Sequence, residues 1–354
     1  MDDGRRAWSD EAVRRIDADF NRSADTHLIR VELPRFPGIT LYLKDESVHP
    51  TGSLKHRLAR SLILYGLCNN QIGADTLLVD ATSGSTAVSE AYFARLIGLK
   101  FVAVIPRSTS PAKIEAIRFH GGDVHMVDSA GEMYDAAARL AAGSGGLFLD
   151  QFTYAERATD WRGNNNIAQS IFQQMAREDY PEPTWLVCGA GTGGTSATLG
   201  RFIRYGRHAT RLCVADPEGS VFHRHFDDRS VVTLPAGFRC QIEGIGRPRV
   251  EPSFLPDVID RMIAVPDGAS IGAMRAIAAR IGRPVGGSAG TNIHACLELA
   301  QEMAAQGRGG SIVTILCDSG LRYAQTYYDD DWLVSQGIDW RGHEARAADL
   351  LRAI

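Results

Sequence analysis

Trp185-Leu-Val-Cys-Gly-Ala-Gly-Thr-Gly-Gly-Thr-Ser-Ala-Thr-Leu-Gly-Arg-Phe-Ile203 is the stretch on which the fold turns. Trp185 to Cys188 reads as a buried strand, and the run from Gly194 to Tyr205 has the spacing of a helix. Between them Gly191, Thr192, Gly193, Gly194 and Thr195 form a turn poor in side chains. Glycines let backbone amides and a helix N-terminus close around an anion, so the turn reads as a phosphate cradle. Residues 189 to 194 also satisfy G-x-G-x-x-G, and Asp216 ends the next strand, as the ribose-binding acid of a dinucleotide fold does. Thr192 and Thr195 weigh the other way, because their hydroxyls suit a terminal phosphate dianion.

The same strand-then-helix rhythm extends in both directions. Upstream, Leu77 to Val79 precedes a helix from Thr86 to Leu96, Phe101 to Ile105 one from Pro111 to Phe119, and Val124 to Val127 one from Glu132 to Leu140. Downstream come strand Leu212 to Ala215, helices over Ser270 to Ile281 and Thr291 to Met303, and strand Ile312 to Leu316. The rhythm predicts an α/β chain of βαβ units with parallel sheets flanked by helices. A length of 354 residues favours two lobes. Asp150 to Asn166, polar and aromatic, and Gly219 to Arg249, rich in Gly and Arg, read as functional loops.

Hydrophobic residues make up 44% of the chain, charged residues 23%, and the net charge is -4. That balance argues against a polyanion-binding protein, so nucleic acid is not expected as a partner. The apolar runs are too short for a membrane span and the N-terminal stretch lacks the core of a signal peptide, so a cytoplasmic location is expected. The six cysteines are scattered, without zinc-ligand spacing; no metal is expected, and Cys188, Cys213 and Cys317 read as small buried hydrophobes.

Two further motifs compete with the glycine turn to define the chemistry. Gly286-Gly-Ser288-Ala-Gly290 matches G-x-S-x-G, and Asp318 and His343 follow in hydrolase order. However, Gly282 and Pro284 spoil the strand that a nucleophile elbow requires. Thr51-Gly-Ser-Leu-Lys55-His-Arg57 opens a helix running to about Leu67, after strand Leu41 to Lys44. A lysine at a helix start, among amide dipoles and a basic neighbour, is a candidate nucleophile. Together, one bound phosphate, one Schiff-base lysine and one neutral hydroxyl are the contacts a pyridoxal 5′-phosphate ring requires. A nicotinamide enzyme leaves Lys55 and Ser288 unused, and a hydrolase leaves the phosphate cradle unused.

With these residues in place the chain resembles the fold-type II pyridoxal-phosphate enzymes, specifically the cysteine synthase and cystathionine β-synthase family. Four motifs match in order: Thr51 to Arg57, Thr82-Ser-Gly-Ser-Thr86, Gly191 to Thr195, and Gly287-Ser288-Ala-Gly290. The resemblance implies a tryptophan synthase β-like fold with the cofactor between the lobes. It also implies a smaller domain over residues 46-155, a larger one over 1-45 and 156-354, and a homodimer. Lys55 is then the catalytic residue, and Ser85, Gly191, Thr192, Gly193, Gly194, Thr195, Ser288 and Asp318 join it in holding the cofactor. Thr82, Ser83, Gly84, Thr86, Gln151, Gly244, Gly246 and Arg247 are the implied substrate contacts, with Arg249 beside them. Ser85 stands where the family has Asn. The segments 150 to 166 and 244 to 254 resemble the cysteine desulfhydrase branch, which releases sulfide from L-cysteine. The implied reaction is β-elimination, with β-replacement as the alternative.

Overall fold

The computed structural model describes residues 3–22, 25–235, 237 and 240–352. In chain order its strands are β1 (Leu28–Glu32), β2 (Ile39–Asp45), β3 (Leu78–Ala81), β4 (Phe101–Pro106), β5 (Asp123–Val127), β6 (Leu147–Phe148), β7 (Trp185–Gly189), β8 (Arg211–Pro217), β9 (Arg261–Val265) and β10 (Gly310–Leu316). The chain divides into two compact units, Met1–Asp25 with His49–Thr159, and Thr26–Val48 with Asp160–Ile354.

The larger unit holds a sheet in the order β1-β2-β10-β7-β8-β9. Its pairings are parallel except that β1 runs antiparallel to β2. Every residue of β2 and β10 is buried, the unbroken pattern of strands covered on both faces. One of them is Lys44, whose Nζ donates to Thr26 O and Gln174 Oε1, each at 2.8 Å, replacing the water it lost. Helices Asp267–Ile281 and Gly287–Ala305 supply Ile271, Met274, Ile277, Ile293 and Leu297 to the core. Helix Gly194–Gly206 packs on β7 and β8, the strands flanking the glycine turn.

The smaller unit holds a parallel sheet, β5-β4-β3-β6, with helices Lys55–Cys68, Ser85–Leu96, Pro111–Phe119 and Met133–Ser144. Residues 1-45 were expected in the larger domain, but helix Asp3–Phe20 belongs to the smaller unit. Its sparse apolar stripe decides this: Ala12 and Ile16, at i,i+4 spacing, enter the core beside Ala59, Ile63 and Phe93. Asp17 meets Arg60 at 2.9 Å and Asp19 accepts from Tyr92 Oη at 2.9 Å.

Two stretches read as loops are partly helical. Gln151–Ala158 is a helix, with Asp150 as its N-cap accepting from Thr153 N–H at 3.3 Å. Gly219 to Arg249 contains the short helix Phe222–Asp227, while residues 236, 238 and 239 lie outside the described residues. Among the described residues, no helix is long and apolar enough to cross a membrane.

Candidate active site

Parallel strands deliver their following loops to one edge of a sheet, where ligands usually bind. In the smaller unit β3 ends at Ala81 and Thr82 to Gly84 lead into helix Ser85–Leu96. Thr82 and Thr86 are buried, whereas Ser83, Gly84 and Ser85 are partly exposed. Gly84 caps the helix without a side-chain bond, so the first-turn N–H groups are not met by a cap. Gln151 comes to this loop from the head of its own helix. It is 3% exposed and accepts from Thr86 Oγ1 at 2.8 Å.

Lys55 is partly exposed at the start of its helix, its N–H donating to Ser53 Oγ at 3.3 Å. The lysine motif is tied to the Thr82 to Thr86 loop by a hydrogen-bond chain that sequence reasoning did not anticipate. Thr51 Oγ1 meets His56 Nδ1 at 3.1 Å and Ser89 Oγ at 2.8 Å, and Ser89 Oγ donates to Ser85 O at 3.0 Å. The structure thus brings together Lys55, Thr82, Ser83, Gly84, Ser85, Thr86 and Gln151 within one unit.

In the larger unit the glycine turn is shaped by its backing. Gly246 N–H donates to Ala190 O at 2.8 Å, which lays residues 244–246 directly behind the turn. A Cβ on Gly191 would strike Gly244 O. Gly193, at φ 94°, has a left-handed backbone, and a Cβ there would strike the backbone of Ser253 and Phe254. Gly244 and Gly246, implied as substrate contacts, therefore brace the cradle. Thr192 is buried and its Oγ1 accepts from Gly194 N–H at 3.3 Å, while Thr195 is partly exposed. Helix Gly194–Gly206 begins without a side-chain cap, so the cradle has backbone donors to offer an anion.

Ser288 is buried in the first turn of helix Gly287–Ala305. Gly286 N–H donates to Asp318 O at 3.2 Å, tying that turn to the end of β10. Asp318 Oδ2 accepts from Tyr323 Oη at 2.7 Å, while Asp318 Oδ1 is buried and, among the described residues, has no partner. Burial pushes the Asp318 carboxyl up to about 6, against the pull of the Tyr323 hydrogen bond. Arg247 is held by Glu251, with Nε donating to Oε1 at 2.8 Å, and Arg249 reaches the same oxygen at 3.5 Å. Glu251 is 1% exposed, so much of the Arg247 charge is already matched.

The competing motifs find other uses. Asp216 is buried and accepts from the His223 backbone N–H while meeting its ring Nδ1, both at 3.0 Å. Both contacts fall on Oδ2, and Oδ1 is buried without a partner among the described residues. Asp318 is bonded by Tyr323 rather than by a histidine, and His343 is exposed, with His294 as its ring neighbour. Cys188 and Cys213 are buried and burial raises both thiols, so they fill space.

The model of the family described as pyridoxal-phosphate dependent enzyme matches residues 23–318. The chain is 58% identical to the L-cysteine desulfhydrase Cds1 of Mycobacterium tuberculosis, over 98% of this chain and 95% of that protein. It is 27% identical to cysteine synthase 1 of Emericella nidulans, over 89% and 85%. Among solved structures, the O-acetylserine dependent cystathionine beta-synthase of Helicobacter pylori aligns with a TM-score of 0.74 at 26% identity, covering 88% of this chain and 97% of that one. The residues present suit a phosphorylated pyridine aldehyde: a glycine cradle for its phosphate, a lysine amine for its carbonyl carbon, and a neutral buried hydroxyl for its ring nitrogen.

Proposed function

This chain belongs to the pyridoxal-phosphate dependent enzymes, and from that premise we propose that it performs β-elimination on L-cysteine, giving sulfide, pyruvate and ammonia. The observation that carries the reaction is the near full-length similarity to a protein named for cysteine desulfhydration. The cofactor is pyridoxal 5′-phosphate, which when bound supplies an electron sink for the bonding pair freed at Cα.

In this reading Gly191 to Thr195 hold the phosphate, and Ser288 partners the ring nitrogen. A neutral hydroxyl partner would leave the ring less electron-withdrawing than a carboxylate partner would, which favours departure through Cβ over transamination. Lys55 Nζ would be the amine that holds the cofactor's carbonyl carbon, and it would take the substrate's Cα proton and give a proton to the departing sulfur. The Cα–H and Cβ–S bonds break, and water completes the release of pyruvate and ammonia. Thr82, Ser83, Thr86 and Gln151 grip the α-carboxylate with neutral donors and so orient the Cα–H bond. The resemblance further supports a homodimer in the cytoplasm; light scattering of the purified protein tests the dimer.

The test of the reaction is incubation of the holoenzyme with L-cysteine alone, following sulfide and pyruvate together. Equal amounts of both are expected. Cysteine formed from O-acetylserine and sulfide faster than pyruvate is released would make the protein a synthase instead.

A further inference from the structure

Lys55 opens helix Lys55–Cys68, and the Thr82 to Thr86 loop runs into helix Ser85–Leu96, so the two motifs sit at the heads of two packed helices. Deeper in the unit these helices share a core of Ala59, Ile63, Ala91 and Phe93. Toward their heads they are joined through Thr51, His56 and Ser89, all buried and none of them used by the chemistry above. The lysine motif is folded tightly here. Gly52, at φ 72°, has a left-handed backbone and donates its N–H to His49 O at 2.7 Å, and His56 N–H donates to Ser53 O at 3.1 Å. The His56 ring stacks on His49 with centroids 4.8 Å apart and lies 4.6 Å from the ring of Phe93.

One placement of protons satisfies all the contacts of this joint. Ser85 O is a carbonyl and only accepts, so the single proton of Ser89 Oγ goes to it at 3.0 Å. Thr51 Oγ1, 2.8 Å from Ser89 Oγ, then donates to Ser89, and His56 Nδ1, 3.1 Å from Thr51 Oγ1, donates to Thr51. The neutral His56 ring therefore carries its proton on Nδ1. Because every member is buried, breaking one link leaves a buried donor or acceptor unmet.

We propose that Thr51, His56 and Ser89 are positioning residues whose one-way chain of hydrogen bonds sets the distance between Lys55 and the loop that grips the substrate carboxylate. The inference rests on the reading that Lys55 takes the Cα proton and that this loop holds the carboxylate. The chain starts at His56, the residue after the lysine, and ends at Ser85 O, within the gripping loop and at the first residue of its helix. A substrate held by its carboxylate presents Cα at a fixed place, which the lysine has to reach. Proton transfer is steep in distance, and a misplacement of about 1 Å costs on the order of 10²-fold. Loosening the chain therefore slows proton transfer while the carboxylate is still held.

The experiment measures two quantities on the holoenzyme: the Kd of L-alanine by calorimetry, and the rate at which heavy water exchanges the L-alanine Cα proton. L-alanine has no β-leaving group, so exchange isolates proton transfer from the departure of sulfur. Thr51→Val keeps the shape and breaks two links, and Ser89→Ala breaks the link between the helices. Each is expected to slow exchange about tenfold and to leave the L-alanine Kd within about twofold of wild type. His56→Asn keeps a donor where Nδ1 stands, so it is expected to exchange about tenfold faster than His56→Leu, which has none. A further readout needs no turnover. In a nitrogen–proton correlation spectrum of histidine-labelled holoenzyme, taken above the ordinary imidazole range, the signal missing from His56→Asn should show its proton on Nδ1. A lone pair on that nitrogen overturns the proposal. So does exchange at the wild-type rate in Thr51→Val and Ser89→Ala, a loss of L-alanine affinity as large as the loss of exchange, or equal rates in the two His56 variants. Should Thr51→Val fail to fold, Ser89→Ala makes the same comparison. Thr86→Val separates the two levels. If it leaves L-alanine binding unchanged, the carboxylate reading falls and takes this inference with it; if it weakens binding while Thr51→Val and Ser89→Ala exchange as wild type does, only the inference falls.

Discussion

The loop at Thr82 to Thr86, proposed to grip the substrate carboxylate, and the turn at Gly191 to Thr195, proposed to cradle the phosphate, both link a parallel strand to a helix that begins without a side-chain cap, yet they are stiffened by opposite means. The cradle at Gly191 to Thr195 is held by backbone: Gly191 lies under Gly244 O, and Gly193 sits in a left-handed conformation against residues 253 and 254. The loop at Thr82 to Thr86 is held by side chains, through the hydrogen bonds from Thr86 Oγ1 to Gln151 and from Ser89 Oγ to Ser85 O. A phosphate keeps its charge and shape throughout the reaction, so a rigid cradle serves it. A substrate carboxylate must arrive and leave, and a side-chain network can be tuned without remaking the backbone. Substitutions should accordingly abolish cofactor retention in one region and grade substrate affinity in the other.

The sharpest break falls between anchoring and chemistry. Lys55→Ala is expected to lower sulfide release at least about 10³-fold, the scale of a lost acid–base group, while the cradle still binds the cofactor without a covalent bond. Borohydride reduction followed by mass spectrometry should find no adduct on the variant. An adduct elsewhere would displace Lys55 from its role. Gly193→Ala comes next. A left-handed alanine costs about 1–2 kcal/mol before its Cβ meets Phe254, so cofactor affinity should fall about tenfold or more by titration. Unchanged affinity would show that the cradle is not backbone-built.

This contrast also explains what could be read before the fold was known. Glycine spacing is local, so Gly191 to Thr195 was legible, as was the helix opened by Lys55. Strand and helix limits from 101 to 119 were legible because apolar periodicity is local too. The side-chain network was not, since Thr86 and Gln151 are far apart in sequence and meet only in the folded chain. The first helix was missed for a different reason. Ala12 and Ile16 are too few to mark an amphipathic stripe in Asp3–Phe20, where charge dominates. That Gly244 and Gly246, implied as substrate contacts by the resemblance, also brace Ala190 and Gly191 is a matter of space that sequence order does not carry.

Graded effects should follow on the side-chain-built region. Thr86→Val removes one hydrogen bond to Gln151 without changing shape, so KM for L-cysteine should rise about three- to tenfold with cofactor affinity unchanged. Cofactor loss in that variant would erase the division between the two regions. The smallest effect tests whether the larger unit also contains a tunable side chain. Tyr323→Phe deprives Asp318 of its donor, leaving a second buried oxygen unmet, which costs about 1–3 kcal/mol while the carboxyl is charged. Asp318 is already raised to about 6 by burial, so it binds its proton more tightly folded than unfolded. Its contribution is therefore full below the ordinary carboxylate range and is lost as pH rises through about 6. Removing the hydroxyl that favours the charged form moves that loss to higher pH and deepens it. The melting temperature of Tyr323→Phe should match wild type at pH near 4 and fall a few degrees below it by pH 8. A deficit independent of pH would mean that the hydroxyl packs rather than tunes, and that side-chain tuning is confined to the smaller unit.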